Sequence, residues 1–113
     1  MTTFQYGSGD MKISDALQLA TGKLRGVLSS ENVQKVLESE KNALSLANGD
    51  KAVYGINTGF GILAQTKISP VDTGLLQQKI LQSHSAGVGK SISRELAKLM
   101  LVTKAHSLAR GYS

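Results

Sequence analysis

The chain has 113 residues, a net charge of +5, no cysteine and no tryptophan; 41% of its residues are hydrophobic and 4% are aromatic. These figures fit one modest domain whose core is built from Leu, Ile, Val, Ala and Met, and they exclude disulfides and thiolate chemistry. The basic residues are scattered from Lys12 to Arg110 without interleaved aromatics, which favours a solvated surface over a nucleic-acid face.

Residues 1–10 are polar and lack the apolar segment of a signal peptide. No stretch approaches the ~20 apolar residues needed to cross a bilayer. The expectation is a cytoplasmic chain with neither membrane nor nucleic acid as partner.

Residues 1–12 read as a flexible lead-in, because Gly7, Ser8 and Gly9 favour irregular chain. Ser14 can cap a short first helix with Asp15 in its first turn, and Ile13, Leu17, Ala20 and Leu24 fall on one side at helical spacing. Ser29 or Ser30 can cap a second helix, with Glu31 near its positive end. Val33, Val36, Leu37, Leu44 and Ala47 give that helix an apolar stripe, and Asn48-Gly49-Asp50 ends it through residues that accept positive φ.

Ala52-Val53-Tyr54 has a strand-like start, but three glycines in seven residues follow, at Gly55, Gly59 and Gly61, so the segment reads as a loop. Ser69-Pro70 with Asp72 is a helix start: Ser caps and Pro fills the first helical position. Leu75, Leu76, Ile80 and Leu81 form the expected buried side of this third helix, and the Gly-rich run from Ser83 to Gly89 interrupts it. A fourth helix is expected over 92–109. Its run Leu96, Ala97, Leu99, Met100, Leu101 and Val102 is apolar almost all round, so it calls for protein on several sides. The architecture is mainly α, with a Gly-rich loop and at most a short strand.

Four features could carry chemistry. Gly87-Val88-Gly89-Lys90-Ser91 imitates the tail of a phosphate-binding P-loop, but His84 stands where the pattern needs its first Gly, and helix precedes it where a strand is required. A metal site is not expected: His84 and His106 are the only histidines, no cysteine supports them, and zinc needs three or four ligands. The glycine loop places Tyr54, Asn57 and Thr58 on permissive backbone; composition alone favours a structural turn. A tyrosine acting there as a base must give up its phenolic proton, which backbone N–H donors freed by the glycines could favour. A lone His at a helix end, as at His84, is more often structural than catalytic, although its glycine-rich neighbours allow close approach by a ligand.

Taken together these segments resemble the histidine ammonia-lyase family. Val53-Tyr54-Gly55-Ile56-Asn57-Thr58-Gly59-Phe60-Gly61 is nearly the family's loop signature. Leu76-Gln77-Gln78, leading to Ser83-His84-Ser85-Ala86-Gly87-Val88-Gly89, matches its second block, and Ser107-Leu108-Ala109-Arg110-Gly111-Tyr112-Ser113 the start of its third. The similarity runs from about Ile13 to Ser113, so 13–113 is expected to be the N-terminal segment of a lyase domain, truncated before the family's Ala-Ser-Gly triplet.

The resemblance implies removal of ammonia from L-histidine to give trans-urocanate, a mainly helical homo-oligomer, and an electrophile, methylidene-imidazolone (MIO), that the family forms from its own Ala-Ser-Gly. It makes Tyr54 the base for the β-proton and His84 a residue of the substrate pocket. Gly55, Asn57, Thr58, Gly59 and Gly61 become the loop that closes over substrate. The Ser83-His84 pair resembles the histidine-specific branch rather than the phenylalanine or tyrosine lyases.

Two departures stand out. Lys104-Ala105-His106 replaces a run that is more often of the Arg-Ala-Asn type, and the 113 residues contain no Ala-Ser-Gly. A general base supplies only about 10²–10⁴-fold, and the hard chemistry belongs to the electrophile. The isolated chain is therefore expected to be inactive. The competing expectations are a non-catalytic remnant that docks through its fourth helix, and a basic nucleic-acid binder.

Overall fold

The computed structural model describes residues 2–113. In chain order the elements are β1 (Thr3–Gln5), α1 (Ile13–Ala20), β2 (Arg25–Val27), α2 (Ser30–Ala47), a 3₁₀ turn (Gly61–Leu63), α3 (Pro70–His84) and α4 (Arg94–Leu108). They fall into two compact units, Met1–Ser39 with Lys90–Ser113, and Glu40–Gly89; α2 contributes residues to both.

In the first unit Gly7, Ser8 and Gly9 lie in turn and bend, while a short strand precedes them. Thr3–Gln5 pairs in parallel with β2, in the register Thr3↔Arg25, Phe4↔Gly26 and Gln5↔Val27. Parallel strands need a crossover, and α1 supplies it. Tyr6 follows β1 with its ring over Gly26, where a Cβ would collide with it; Phe4 meets the Tyr6 ring edge-on, centroids 5.8 Å apart.

The first helix starts two residues earlier than a Ser14 cap requires. Lys12 is its N-cap, and Asp15 Oδ2 accepts the Lys12 N–H at 3.0 Å. The buried face is Ala16, Leu19 and Ala20, whereas Ile13 is 82% exposed and Leu17 about half exposed. The reason is steric: α1 packs against α4, and the Ala16/Ala20 pair, one turn apart, allows a closer approach than a Leu stripe.

Polar residues tie this unit together. Asn32, the one buried residue of α2, donates from Nδ2 to Ala109 O at 3.1 Å and accepts at Oδ1 from Ser8 Oγ and Ser29 Oγ at 3.0 and 2.6 Å. Ser29 is the cap of α2, accepting the Asn32 N–H at 3.1 Å. Gly7 turns at φ +80, and its N–H donates to Nδ1 of buried His106 at 3.1 Å. His106 also packs on Phe4, with ring centroids 5.4 Å apart. The departure at position 106 is thus a packing residue and a hydrogen-bond acceptor.

The apolar stripes of the longer helices are less covered than their spacing predicts. Val33, Val36, Leu37 and Leu44 on α2, and Leu96, Met100 and Leu101 on α4, are each more than a third exposed. Among the described residues no helix is long and apolar enough to cross a membrane.

Candidate active site

The tyrosine loop lies wholly in the Glu40–Gly89 unit. Its start is not the strand that Ala52-Val53-Tyr54 suggests, because its hydrogen bonds close locally. Ile56 N–H and Asn57 N–H both donate to Val53 O, at 3.1 and 3.2 Å. Asn57 Oδ1 accepts the Val53 N–H at 2.7 Å. Tyr54, Gly55 and Ile56 are therefore the tip of a small ring whose neck is Val53 and Asn57.

Asn57 also ends α2. Gly49 does not take the positive φ expected of a glycine terminator. Two of the last helical carbonyls are met from across the loop: Asn57 Nδ2 donates to Leu46 O at 3.3 Å and lies 3.5 Å from Ala47 O, and it also donates to Lys51 O, beyond the helix, at 3.0 Å. Orphan carbonyls at a helix end need such partners.

Beyond the neck the chain doubles back. Ile68 N–H donates to Asn57 O at 2.8 Å, Gly59 N–H donates to Thr66 O at 3.2 Å, and Thr58 bridges Lys67 in antiparallel fashion. Thr58 is 1% exposed and donates to Gly59 O at 2.9 Å. Gly59 is needed for space, since a Cβ would press on Leu63; Gly55 is needed for conformation, at φ +79. Gly61 opens the 3₁₀ turn at φ +62.

Tyr54 is 63% exposed and meets Phe60 edge-on, ring centroids 5.8 Å apart. Gln77 on α3 donates from Nε2 to Gly55 O at 3.1 Å, next to Tyr54. Helix α3 begins as its sequence predicts: Ser69 Oγ accepts the Asp72 N–H at 3.2 Å, with Pro70 at the first position. Its expected buried side is only partly covered, with Leu75 and Leu81 left exposed. That same side carries the Gln77 link to the loop.

His84 closes α3, exposed, in its last turn. Nδ1 lies 2.9 Å from Ile80 O and 3.1 Å from Ser83 Oγ. A carbonyl only accepts, so Nδ1 carries the hydrogen and Nε2 of the neutral ring is the free lone pair. His84 is two turns beyond Gln77 on the same helix face, about 10 Å along the axis. The structure thus joins Tyr54, Gly55 and Asn57 directly, ties them to α3 through Gln77, and leaves His84 without direct contact to the loop. Phe60 and Gln77 were carried inside the sequence blocks without a role; the helical spacing of Gln77 and His84 is the signal that pairs them.

A cavity of about 420 Å³ opens beside the loop between α2 and α3, lined by Leu44, Ala47, Gly55, Ile56, Thr73 and Gln77 among others. Neither Tyr54 nor His84 lines it. Among the described residues no three His, Asp or Glu side chains cluster to hold a metal ion. The P-loop imitation follows helix α3 rather than a strand.

The family model for aromatic amino acid lyase matches residues 11–113. The chain belongs to the aromatic amino acid lyase family. Among its relatives are histidine ammonia-lyases of Vibrio parahaemolyticus serotype O3:K6, 41% identical, and Vibrio cholerae serotype O1, 40% identical, each over 105 residues that make up 93% of this chain and 20% of the relative. A crystal structure of tyrosine aminomutase from Streptomyces globisporus superposes with a TM-score of 0.87 at 21% identity, covering 97% of this chain and 21% of that one. It shares the fold. The chain spans about a fifth of the length of the curated lyases it matches.

Proposed function

We propose that this chain supplies the tyrosine loop and the pocket histidine of a histidine ammonia-lyase, with L-histidine as substrate and trans-urocanate and ammonia as products. The observation that carries the proposal is Tyr54, exposed at the tip of a loop whose neck is hydrogen-bonded shut and whose Gly55 carbonyl is held by Gln77. The identity to histidine ammonia-lyases supports the choice of substrate.

In this reading Tyr54 takes the β-proton of the substrate. The C–H electrons form the new double bond and the α-amine leaves as ammonia. His84, its Nδ1 hydrogen turned to Ile80 O, offers the Nε2 lone pair to an N–H of the substrate imidazole. Gly55, Gly59 and Gly61 allow the loop to close and exclude water. The family's MIO would supply the electrophile that makes the amine a leaving group. These 113 residues hold no Ala-Ser-Gly from which to form it, so they contribute none of that part and are inactive alone. The exposed apolar residues of α4 are covered by further protein in a homo-oligomer.

The test is an assay of the full polypeptide that the gene encodes, with L-histidine, L-phenylalanine and L-tyrosine as competing substrates. A specificity constant at least about tenfold higher for L-histidine supports the proposal. A preference for either of the other two replaces it with the corresponding lyase. Sustained urocanate from the 113 residues alone would sink the prediction of inactivity.

A further inference from the structure

We propose that Asn57 is a positioning residue for Tyr54: a buried clasp that locks the neck of the tyrosine loop onto the end of α2 and makes no contact with substrate. The proposal rests on the reading of Tyr54 as the base.

Asn57 lies in the middle of the loop signature, where proximity alone suggests a ligand contact. Its side chain is 0% exposed. The amide is also spent: Oδ1 accepts from Val53 N–H, and the two Nδ2 hydrogens are shared among Lys51 O, Leu46 O and Ala47 O. The backbone is equally occupied, with N–H on Val53 O and C=O accepting from Ile68 N–H. Both Nδ2 hydrogens and one of the two Oδ1 lone pairs are used, and full burial closes the remaining lone pair to a ligand.

The geometry also says what the clasp controls. Val53 and Asn57 close the ring on either side of Tyr54, and the same amide fixes that ring to the last turn of α2. The backbone that carries Tyr54 cannot shift far relative to the end of α2 without breaking these bonds. A reacting group displaced by about 1 Å can cost 10²-fold in rate.

Asparagine is the residue this place requires. Aspartate has the same shape and can still accept from Val53 N–H. Its second oxygen would face Lys51 O and the Leu46 and Ala47 carbonyl oxygens at the negative end of the α2 dipole. Asn57→Asp therefore removes the donors and leaves the volume unchanged.

Three readings test the clasp. In the wild-type chain, the Asn57 side-chain amide hydrogens should exchange slowly with solvent; fast exchange overturns the proposal without any variant. In Asn57→Asp, the Val53 and Ile68 backbone amides should exchange at least about tenfold faster; unchanged exchange overturns it. In the full polypeptide, Asn57→Asp should lower kcat on the order of 10²-fold with KM nearly unchanged, and should add nothing in a Tyr54→Phe background. An equal further loss in that background, or a rise in KM alone, means that Asn57 acts on substrate or independently of Tyr54, and the proposal fails. If the exchange results hold but Tyr54→Phe keeps full activity, the clasp stands and it is the assignment of Tyr54 as base that falls.

Discussion

In the unit formed by Met1–Ser39 with Lys90–Ser113, the buried apolar residues are Ala16, Leu19, Ala20 and Ala109, and the buried polar residues Asn32 and His106 are seated among them. In the unit Glu40–Gly89 the buried side chains are Asn57 and Thr58, and no apolar side chain there is fully buried. The first unit combines close packing with hydrogen bonds. The second orders its loop almost entirely through hydrogen bonds, which are directional and depend on the identity of single atoms. Changes of volume should therefore be felt mainly in the first unit, whereas changes of hydrogen-bonding chemistry should be felt in both.

The largest stability effect is expected at Gly7. A Cβ at this positive φ would run into Ala109 O and the Asn32 amide. Gly7→Ala should cost about 2–4 kcal/mol, read as a lower urea midpoint. A midpoint unchanged from wild type would show that this corner is not closely packed.

Asn32→Ala should come next. It strands Ala109 O and the two serine hydroxyls, at a cost of about 2–3 kcal/mol. Denaturant unfolding of the same pair of proteins checks it. In the other unit Ser69→Ala removes the acceptor of Asp72 N–H and should cost α3 about 1 kcal/mol. Faster amide exchange confined to the first turn of α3 is the expected readout.

The smallest effect is alkaline. Burial over Gly26 pushes the Tyr6 phenol above its ordinary value. A group whose folded pKa is raised contributes stability that is complete below the unfolded pKa and is lost as pH rises through the folded one. Stability should decline on the alkaline side of the usual tyrosine range, and Tyr6→Phe should flatten that decline. A Tyr6→Phe profile with the same alkaline slope would assign the loss elsewhere.

What was legible in the sequence was local. The Ser69-Pro70 start of α3, the Ser29 cap and the glycine loop each depend on residues a few positions apart, where capping and turn chemistry act. The loop signature also pointed to Tyr54 and its family. What was not legible depends on partners brought together by folding. Strand β1 is three residues long and finds its partner 22 positions on. His106 takes the N–H of Gly7, 99 residues away. Asn57 reads in sequence as one more polar loop residue, and only the fold shows its amide closing α2. The stripes of α1 and α2 are only partly covered for a related reason: helical period names a face, but the neighbour decides which part of it is buried.

The most direct measurement is Tyr54→Phe in the full polypeptide, assayed with L-histidine, with Val53 amide exchange recorded alongside to confirm that the loop keeps its order. If Tyr54 is the base, kcat falls at least about 100-fold while the exchange rate stays at its wild-type value. Activity within a fewfold of wild type, with the loop equally ordered, would contradict it and leave Tyr54 as no more than the cap of a hydrogen-bonded turn.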